Sequence, residues 1–517
     1  MSEKKGRTYS AVKNSTITLG CQFIFLIMSF ICRTVFTKTL GAEYLGVSGL
    51  FSNILTILSF AELGIGTALV YRMYKPLAEN DYKKLKLYVK LYKKIYTIII
   101  IVISIVGIAI IPLLPYLVTA PNVKESITIL YILYLLQTIV SYVCVYKKSI
   151  LIADQKNYIV NLYTQAFNIA MNIAQCIFLV MTHDFVIYCV LNIIFNLANN
   201  LACSVVADKQ YPYLKGAAEG ELSKEEVHGL FKDVKGLLLT KIASVAFSGT
   251  DNIFISAFIG IKYVGILSNY TLILSTLNGI TNKVFDSVTA SIGNLVVSKE
   301  KGKSGDVLKR LFFLNTSLYG YICVGMLVLL RTFVMDIWLS AEYDLSQVVV
   351  TLVIIELFFR SIHYPVYITR NAMGSFSEHK ILFACMAVLN ILGDFLLVKP
   401  LGIAGLYIAT IVSRGVTYMI DIYVVYKENL KMSVWNHLKM LLSWMVFLIL
   451  CSYISVFLAG LIHGNVIISF VLKVITVTIV YAAMYVIAFS RTAEFKYFMT
   501  LIGKLTNRKG KALNTAL

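Results

Sequence analysis

The sequence predicts an all-α integral membrane protein of about fourteen transmembrane helices, arranged as two six-helix lobes with two more helices at the C-terminal end. Three observations carry that prediction. Hydrophobic residues make up 58% of the 517 positions and charged residues 14%, against about 45–50% and roughly 25% in soluble proteins. The apolar residues fall in repeated long runs, and a span needs about 20 of them. Short motifs in the first half also recur in the second, displaced by 218 or 219 positions.

Taken in order, the runs at 14–39, 44–72, 95–118, 126–146, 158–181 and 184–206 form the first lobe. Those at 236–260, 264–298, 310–330, 346–371, 380–398 and 401–426 form the second, and 436–460 and 465–489 lie outside the repeat. Several runs exceed the minimum span, so tilt or extension into water is expected. The domains are therefore 1–207, a linker helix within 208–235, a second lobe at 236–427, the two extra spans within 428–489, and a basic tail at 490–517.

The net charge of +20 is a topology signal rather than a nucleic-acid footprint. About 35 of the Lys and Arg residues fall on one side of the predicted spans, which the positive-inside rule makes cytoplasmic. Lys38, Lys124, Lys262, Arg331 and Lys399 fall opposite. Both termini are then cytoplasmic, and no nucleic-acid partner is expected. Exported loops are too short for a catalytic domain. No G-x-x-x-x-G-K-[ST] motif points to ATP hydrolysis. The cysteines form no CxxC pair and read as free, small apolar residues, so no metal or other cofactor is expected.

Two segments between spans carry their own patterns. In 74–94, Leu85, Tyr88, Val89 and Tyr92 share a helical face against Lys83, Lys86, Lys90 and Lys94, which fits an in-plane amphipathic helix or a solvated basic loop. In 221–238, Ser223 and Glu226 form a capping box ahead of Val227, Leu230, Phe231 and Val234.

The repeat rests on Gly41 to Gly46 recurring at Gly260 to Gly265, on Tyr188 and Tyr407, and on Asn172 with Ile173 recurring at Asn390 with Ile391. Equal numbers of spans give the two halves the same membrane orientation, with a pseudo-axis along the membrane normal. Parallel bundles of this kind commonly enclose a substrate cleft that opens to each side in turn.

Charges within the spans point to the same cleft. Each costs at least about 2.5–3.5 kcal/mol in hydrocarbon, so most should face water or a partner. Arg33 lies eight residues before Gly41, about 12 Å along a helix; Asp251 lies nine before Gly260. Lys283 with Asp286 and Glu356 with Arg360 have pair spacing, and Glu preceding Arg is the favourable order. These read either as structural pairs or as part of the site. Arg33 and Arg414 have no partner close in sequence, and their planar forks suit phosphate. The expected substrate set is Arg33, Arg360, Arg414, Lys283 and Asn196; Glu62, Asp251, Asp286 and Glu356 are candidates for Na⁺ or H⁺ coupling or for gating. Asn192, Asn196, Asn199 and Asn200 form a polar stripe that reads as interhelical hydrogen bonding or as cleft lining.

The stretch from Arg33 through Leu40-Gly41-Ala42-Glu43-Tyr44-Leu45-Gly46 to Ala61-Glu62-Leu63-Gly64-Ile65-Gly66 resembles Wzx-type polysaccharide flippases, the polysaccharide transporter branch of the MOP superfamily. Thr250-Asp251-Asn252-Ile253, Ser268-Asn269-Tyr270, Ser291-Ile292-Gly293-Asn294, Trp338-Leu339 and Leu401-Gly402-Ile403-Ala404-Gly405 extend the resemblance over nearly the whole chain. It implies a MATE-like fold in a bacterial cytoplasmic membrane. It also implies a task, the translocation of undecaprenyl-diphosphate-linked oligosaccharide by alternating access, alongside a polysaccharide polymerase and glycosyltransferases. Rival readings are a multidrug or lipid-linked peptidoglycan precursor exporter on the same fold, a polymerase or glycosyltransferase, and a non-transporting scaffold of a glycan assembly complex.

Overall fold

The computed structural model describes residues 24–62, 64–119, 122–214, 216, 220–232, 234, 250–297, 303–372, 377–430 and 432–500. Helices dominate, and no strand occurs among the described residues. Long apolar side chains such as Ile449, Phe457, Ile467 and Ile487 stand exposed, while tyrosines, asparagines and ion pairs lie inside. A bilayer solvates such a surface, and buried polar groups then have to find partners within the protein.

The chain divides into two compact units, Met1–Ser268 and Asn269–Leu517. In the first, α1 covers 24–40, α2 Ala42–Leu58, α3 Ile65–Ala78 and α4 Tyr82–Ile110, which continues through a 3₁₀ turn to Leu117. Next come α5 Ile127–Tyr142, α6 Val145–Ala153, α7 Asn157–Thr182, α8 Phe185–Gln210, α9 at 224–232 and α10 Asp251–Phe258. Helix α11, Ile261–Val297, crosses from one unit into the other. The second unit adds α12 Lys303–Thr332, α13 Gln347–Ala372, α14 Ser377–Leu401, α15 Ile403–Tyr423, α16 Val434–Gly460 and α17 Val466–Phe489.

Among the described residues, nine helices are long and apolar enough to span a membrane, and α5 with α6 forms one further span bent by 42°. The bend follows from Cys144, which takes a left-handed conformation between the two helices. Cys144 is therefore at a break rather than inside a helix. The eight cysteines among the described residues are all free.

The 74–94 segment departs from both sequence expectations, since it is neither an in-plane helix nor a loop. Residues through Ala78 complete α3, and from Tyr82 onward the chain already belongs to α4. The Asp81 carboxylate accepts from the Lys84 amide at 2.9 Å and so starts that helix. The apolar face Leu85, Tyr88 and Tyr92 then continues without a change of phase into Tyr96, Ile99 and Ile103, all buried. One uninterrupted buried stripe makes one helix. The capping box is as expected: Ser223 N donates to Glu226 Oε2 at 3.1 Å, and Glu226 N to Ser223 Oγ at 3.2 Å.

The internal repeat is written in the backbone. Gly41 and Gly260, 219 positions apart, both have positive φ (91° and 134°) and both precede a helix. His183 and Gly402, again 219 apart, share left-handed φ (52° and 60°) just before α8 and α15. The repeat-related glycines Gly46 and Gly265 meet one another's helices inside the first unit. A Cβ on Gly46 would strike the Ile261 carbonyl, and one on Gly265 would strike the Ala42 carbonyl. The reciprocal contact holds the starts of α2 and α11 at backbone distance, as small residues do in membrane helix pairs.

Candidate functional site

A cluster of three charged side chains lies in the second unit, on α13 and α15. Glu356 and Arg360 are one helical turn apart. Arg360 Nη2 donates to Glu356 Oε2 at 2.5 Å, and Nε to Oε1 at 3.1 Å. From α15, Arg414 Nε lies 2.9 Å from the same Oε1. One carboxylate thus meets two guanidiniums. The Glu356 side chain is 4% exposed, that of Arg414 15% and that of Arg360 45%. Arg360 is the exposed member of the cluster, and Arg414 lies against the carboxylate from α15. His363 Nε2, one turn past Arg360, lies 3.0 Å from the Arg414 carbonyl.

Arg414 has no charged partner nearby along the chain. Glu356 supplies one from 58 positions away, because α13 and α15 pack side by side and bring those faces together. Further along the same helix pair, Arg370 forms an ion pair with Asp421, the arginine side chain fully buried and the aspartate 7% exposed. The parallel order of the pairs, 356 with 414 and then 370 with 421, zips two helices that run in the same direction.

In the first unit, Arg33 Nη2 donates to Ser268 Oγ at 2.5 Å, and the Ser268 hydroxyl in turn donates to the Gly265 carbonyl at 2.7 Å. Glu62 closes the 3₁₀ turn Ser59–Glu62 where α2 breaks before α3. Its Oε1 accepts from the Tyr96 hydroxyl at 2.5 Å. Tyr92 donates to Tyr96 at 3.3 Å, and Ser149 to Tyr92 at 2.8 Å. A carboxylate is here answered by a chain of neutral hydroxyls. Asp251 opens α10 and is partly buried.

The remaining expected positions divide as follows. Asn196 bonds to its own helix, donating to the Asn192 carbonyl at 3.0 Å. Asn200 reaches α5 by donating to the Val140 carbonyl at 2.9 Å, and Asn199 reaches Thr164 on α7 at 3.4 Å. Those two thus bond between helices. Lys283 and Asp286 belong to helical backbone in α11, and their side chains lie outside the described residues.

Two buried clusters were not picked out by the sequence reading. Asn390 Nδ2 on α14 donates to Asp394 Oδ1 at 3.3 Å and to Thr410 Oγ1 on α15 at 3.0 Å, with Asn390 and Asp394 fully buried. The i, i+4 spacing of Asn390 and Asp394 was readable, but Thr410 arrives only by helix packing. His437, near the start of α16, has Nε2 2.8 Å from the Tyr418 hydroxyl and Nδ1 3.0 Å from that of Tyr426. Among the described residues, no group of three or more His, Cys, Asp or Glu side chains could hold a metal ion.

Comparisons with known proteins place this arrangement. The family model described as "Polysaccharide biosynthesis protein" matches residues 11–290, more than half of the chain. No curated protein matches the sequence. Among solved structures, the fold is similar to the lipid II flippase MurJ in an inward closed conformation, with a TM-score of 0.68 at 14% identity, covering 91% of this chain and 98% of that one. It is similar to an inward-facing multidrug resistance MATE family transporter of the MOP superfamily (TM-score 0.59, 13% identity, covering 77% and 92%). A Vibrio cholerae MATE transporter is also similar, at TM-score 0.51 and 14% identity, covering 82% and 99%. The span pattern, the helical repeat and these matches describe a multi-pass, all-α membrane protein of about fourteen helices with a fold similar to that of these transporters. The chain belongs to the polysaccharide biosynthesis protein family and has the fold of MOP-superfamily transporters.

Proposed function

We propose that this chain is a flippase that moves undecaprenyl-diphosphate-linked oligosaccharide units across the bacterial cytoplasmic membrane by alternating access, for export of a surface polysaccharide. The observation that carries the reading is the family match over residues 11–290. The chemistry of the second unit supports it. Two guanidiniums, Arg360 and Arg414, meet at Glu356, and guanidinium forks bind phosphate oxygens in pairs. Arg360, the exposed member, would take the diphosphate, while Arg414 holds Glu356 in place. Arg33, Lys283 and Asn196 are further proposed substrate contacts.

The basic loops and both termini face the cytoplasm in this reading, where the lipid-linked substrate would be delivered by glycosyltransferases and, after inversion, passed to a polymerase. Na⁺ or H⁺ coupling would use Glu62, Asp251 or Asp286. Glu356, already held by two guanidiniums, is a poor cation ligand. The test is reconstitution into liposomes with a lipid-linked oligosaccharide, scoring how fast the sugar moves between leaflets. Faster inversion with protein than without is expected; equal rates would remove transport from the reading. A second reading, a lipid-linked peptidoglycan precursor as cargo, is favoured by the likeness to the lipid II flippase fold. The same liposomes loaded with lipid II separate the two.

A further inference from the structure

A second cationic site lies in the first unit, well away in sequence from the arginine cluster. Lys86, Lys90 and Lys93 follow one another at i, i+4 and i+7 on α4 and line one wall of a cavity of about 430 Å³. The opposite wall is built by Tyr146 and Lys147 from α6 and by Asp208 near the end of α8. Lys147 Nζ is 2.6 Å from Asp208 Oδ2, which fixes that lysine at the rim. Four lysines and one aspartate thus line the cavity.

Its place along α4 matters as much as its charge. The lysine-rich start of this helix gives way after Lys94 to the apolar run beginning at Ile95, so the cavity opens where water meets hydrocarbon. The stripe that carries Lys86, Lys90 and Lys93 continues down the helix through Thr97, Ile101 and Ile108. Ile101 and Ile108 are 51% and 59% exposed. A ligand with a phosphate head in the cavity would lay its chains along that strip. A soluble anion would use only the upper part.

We propose that this cavity binds the phosphate head group of an anionic lipid at the membrane surface. Two sources share that chemistry, a bulk anionic phospholipid and the diphosphate of a polyprenyl-linked lipid. Basic pockets between membrane helices commonly take such head groups, and each lysine near the surface contributes about a five-fold factor in affinity.

Native mass spectrometry of the full chain in detergent tests this, with phosphatidylglycerol, undecaprenyl diphosphate, phosphatidylcholine and soluble pyrophosphate as probes. The two anionic lipids should be retained over phosphatidylcholine. K86Q/K90Q/K93Q should lower their retention by about two orders of magnitude. K86R/K90R/K93R should keep it, since charge and not amine geometry is what binds. The single variants K86Q and K93Q, each expected to lose about five-fold, cover the case in which the triple change unfolds the protein. Equal retention by wild type and the glutamine variants would overturn the site, as would displacement of bound lipid by equimolar pyrophosphate. A diphosphate lipid held about ten-fold more tightly than phosphatidylglycerol assigns the site to the polyprenyl lipid; equal affinities assign it to bulk lipid.

Discussion

The two halves of the sequence repeat each other in backbone turns and differ in how they hold an acid. In the first, Glu62 is answered by Tyr96, Tyr92 and Ser149, a chain of hydroxyls ending on one carboxylate. In the second, Glu356 is answered by two guanidiniums and Asp421 by a third. Positive-φ hinges recur at the same spacing in both, yet none of these polar side chains does. Counting 219 positions on from Glu62 reaches Thr281, and back from Arg414 reaches Phe195. The repeat preserves what the fold requires, the helix starts and close crossings. The buried carboxylate–guanidinium pairs of α13 and α15 have no counterpart at the repeat-related positions of the first half.

The largest effect is expected where both partners of a pair are buried. Asp421→Leu removes the carboxylate from the buried pair with Arg370 and should cost about 3–5 kcal/mol, as breaking a buried pair does. Removing both charges, Arg370→Met with Asp421→Leu, should recover most of that loss. Thermal unfolding in detergent measures both. A single variant that melts like wild type would show that Arg370 is compensated by something other than Asp421.

Glu356→Gln comes next, because Arg360 is exposed enough for solvent to take over part of its charge. The loss should fall below that at Asp421 and should shrink when Arg414→Gln is added, a coupling of about 0.5–3 kcal/mol. Purely additive melting shifts would separate Arg414 from Glu356 despite their 2.9 Å approach. In the liposome assay, Arg360→Gln should slow inversion of the diphosphate-linked substrate while leaving the melting temperature nearly unchanged, a split that a structural pair would not produce.

How legible all this was depends on range. Spans could be read from apolar runs because a bilayer demands length, and Gly41 to Gly46 could be read as recurring at Gly260 to Gly265, although the helices begin at Ala42 and Ile261 rather than at 44 and 264. The Glu356–Arg360 pair was visible as an i, i+4 spacing. Arg414 was not visibly its third member, since nothing local says which face of α15 meets α13. Arg370 was not singled out in the sequence, and only packing shows it buried against Asp421. His437 was one of six scattered histidines until two tyrosines from elsewhere enclosed it. The 74–94 segment was misread because its lysines outweighed its apolar stripe, although the stripe kept phase with the span that follows.

In the first unit the expected losses are smaller, because hydroxyls are neutral. Tyr96→Phe removes the 2.5 Å donor to Glu62, a hydrogen bond to a charged group worth about 1.5–3 kcal/mol. Tyr92→Phe, one hydroxyl further from the acid, should cost only about 0.5–1.5 kcal/mol. If the two substitutions cost the same, the chain does not terminate on the carboxylate and the contrast between the units weakens. Glu62→Gln keeps an acceptor for Tyr96 and should therefore fold well. A loss of ion-dependent transport in that variant would then speak for coupling rather than stability.

The smallest effect belongs to a pair at the membrane edge, Arg331 with Asp344. Arg331 Nε and Nη2 each donate to the carboxylate at 2.6 Å, and this hydrogen bonding holds the Asp344 carboxyl below its ordinary range. Both side chains are about a third exposed, so solvent screening limits the pair to about 1 kcal/mol or less. Because the folded-state pKa is depressed, the contribution is complete above the unfolded value of about 3.9 and disappears as pH falls from there through the folded value. The melting difference between wild type and Asp344→Asn should accordingly be small and constant from neutral pH down to about 5, then close as acid protonates the carboxylate. In 1 M salt it should narrow at every pH, since exposed charges are screened within about 3 Å there. A difference that instead widened in acid would mean that the exposed edge holds its carboxylate as the buried pairs of α13 and α15 do, with a neighbour other than Arg331.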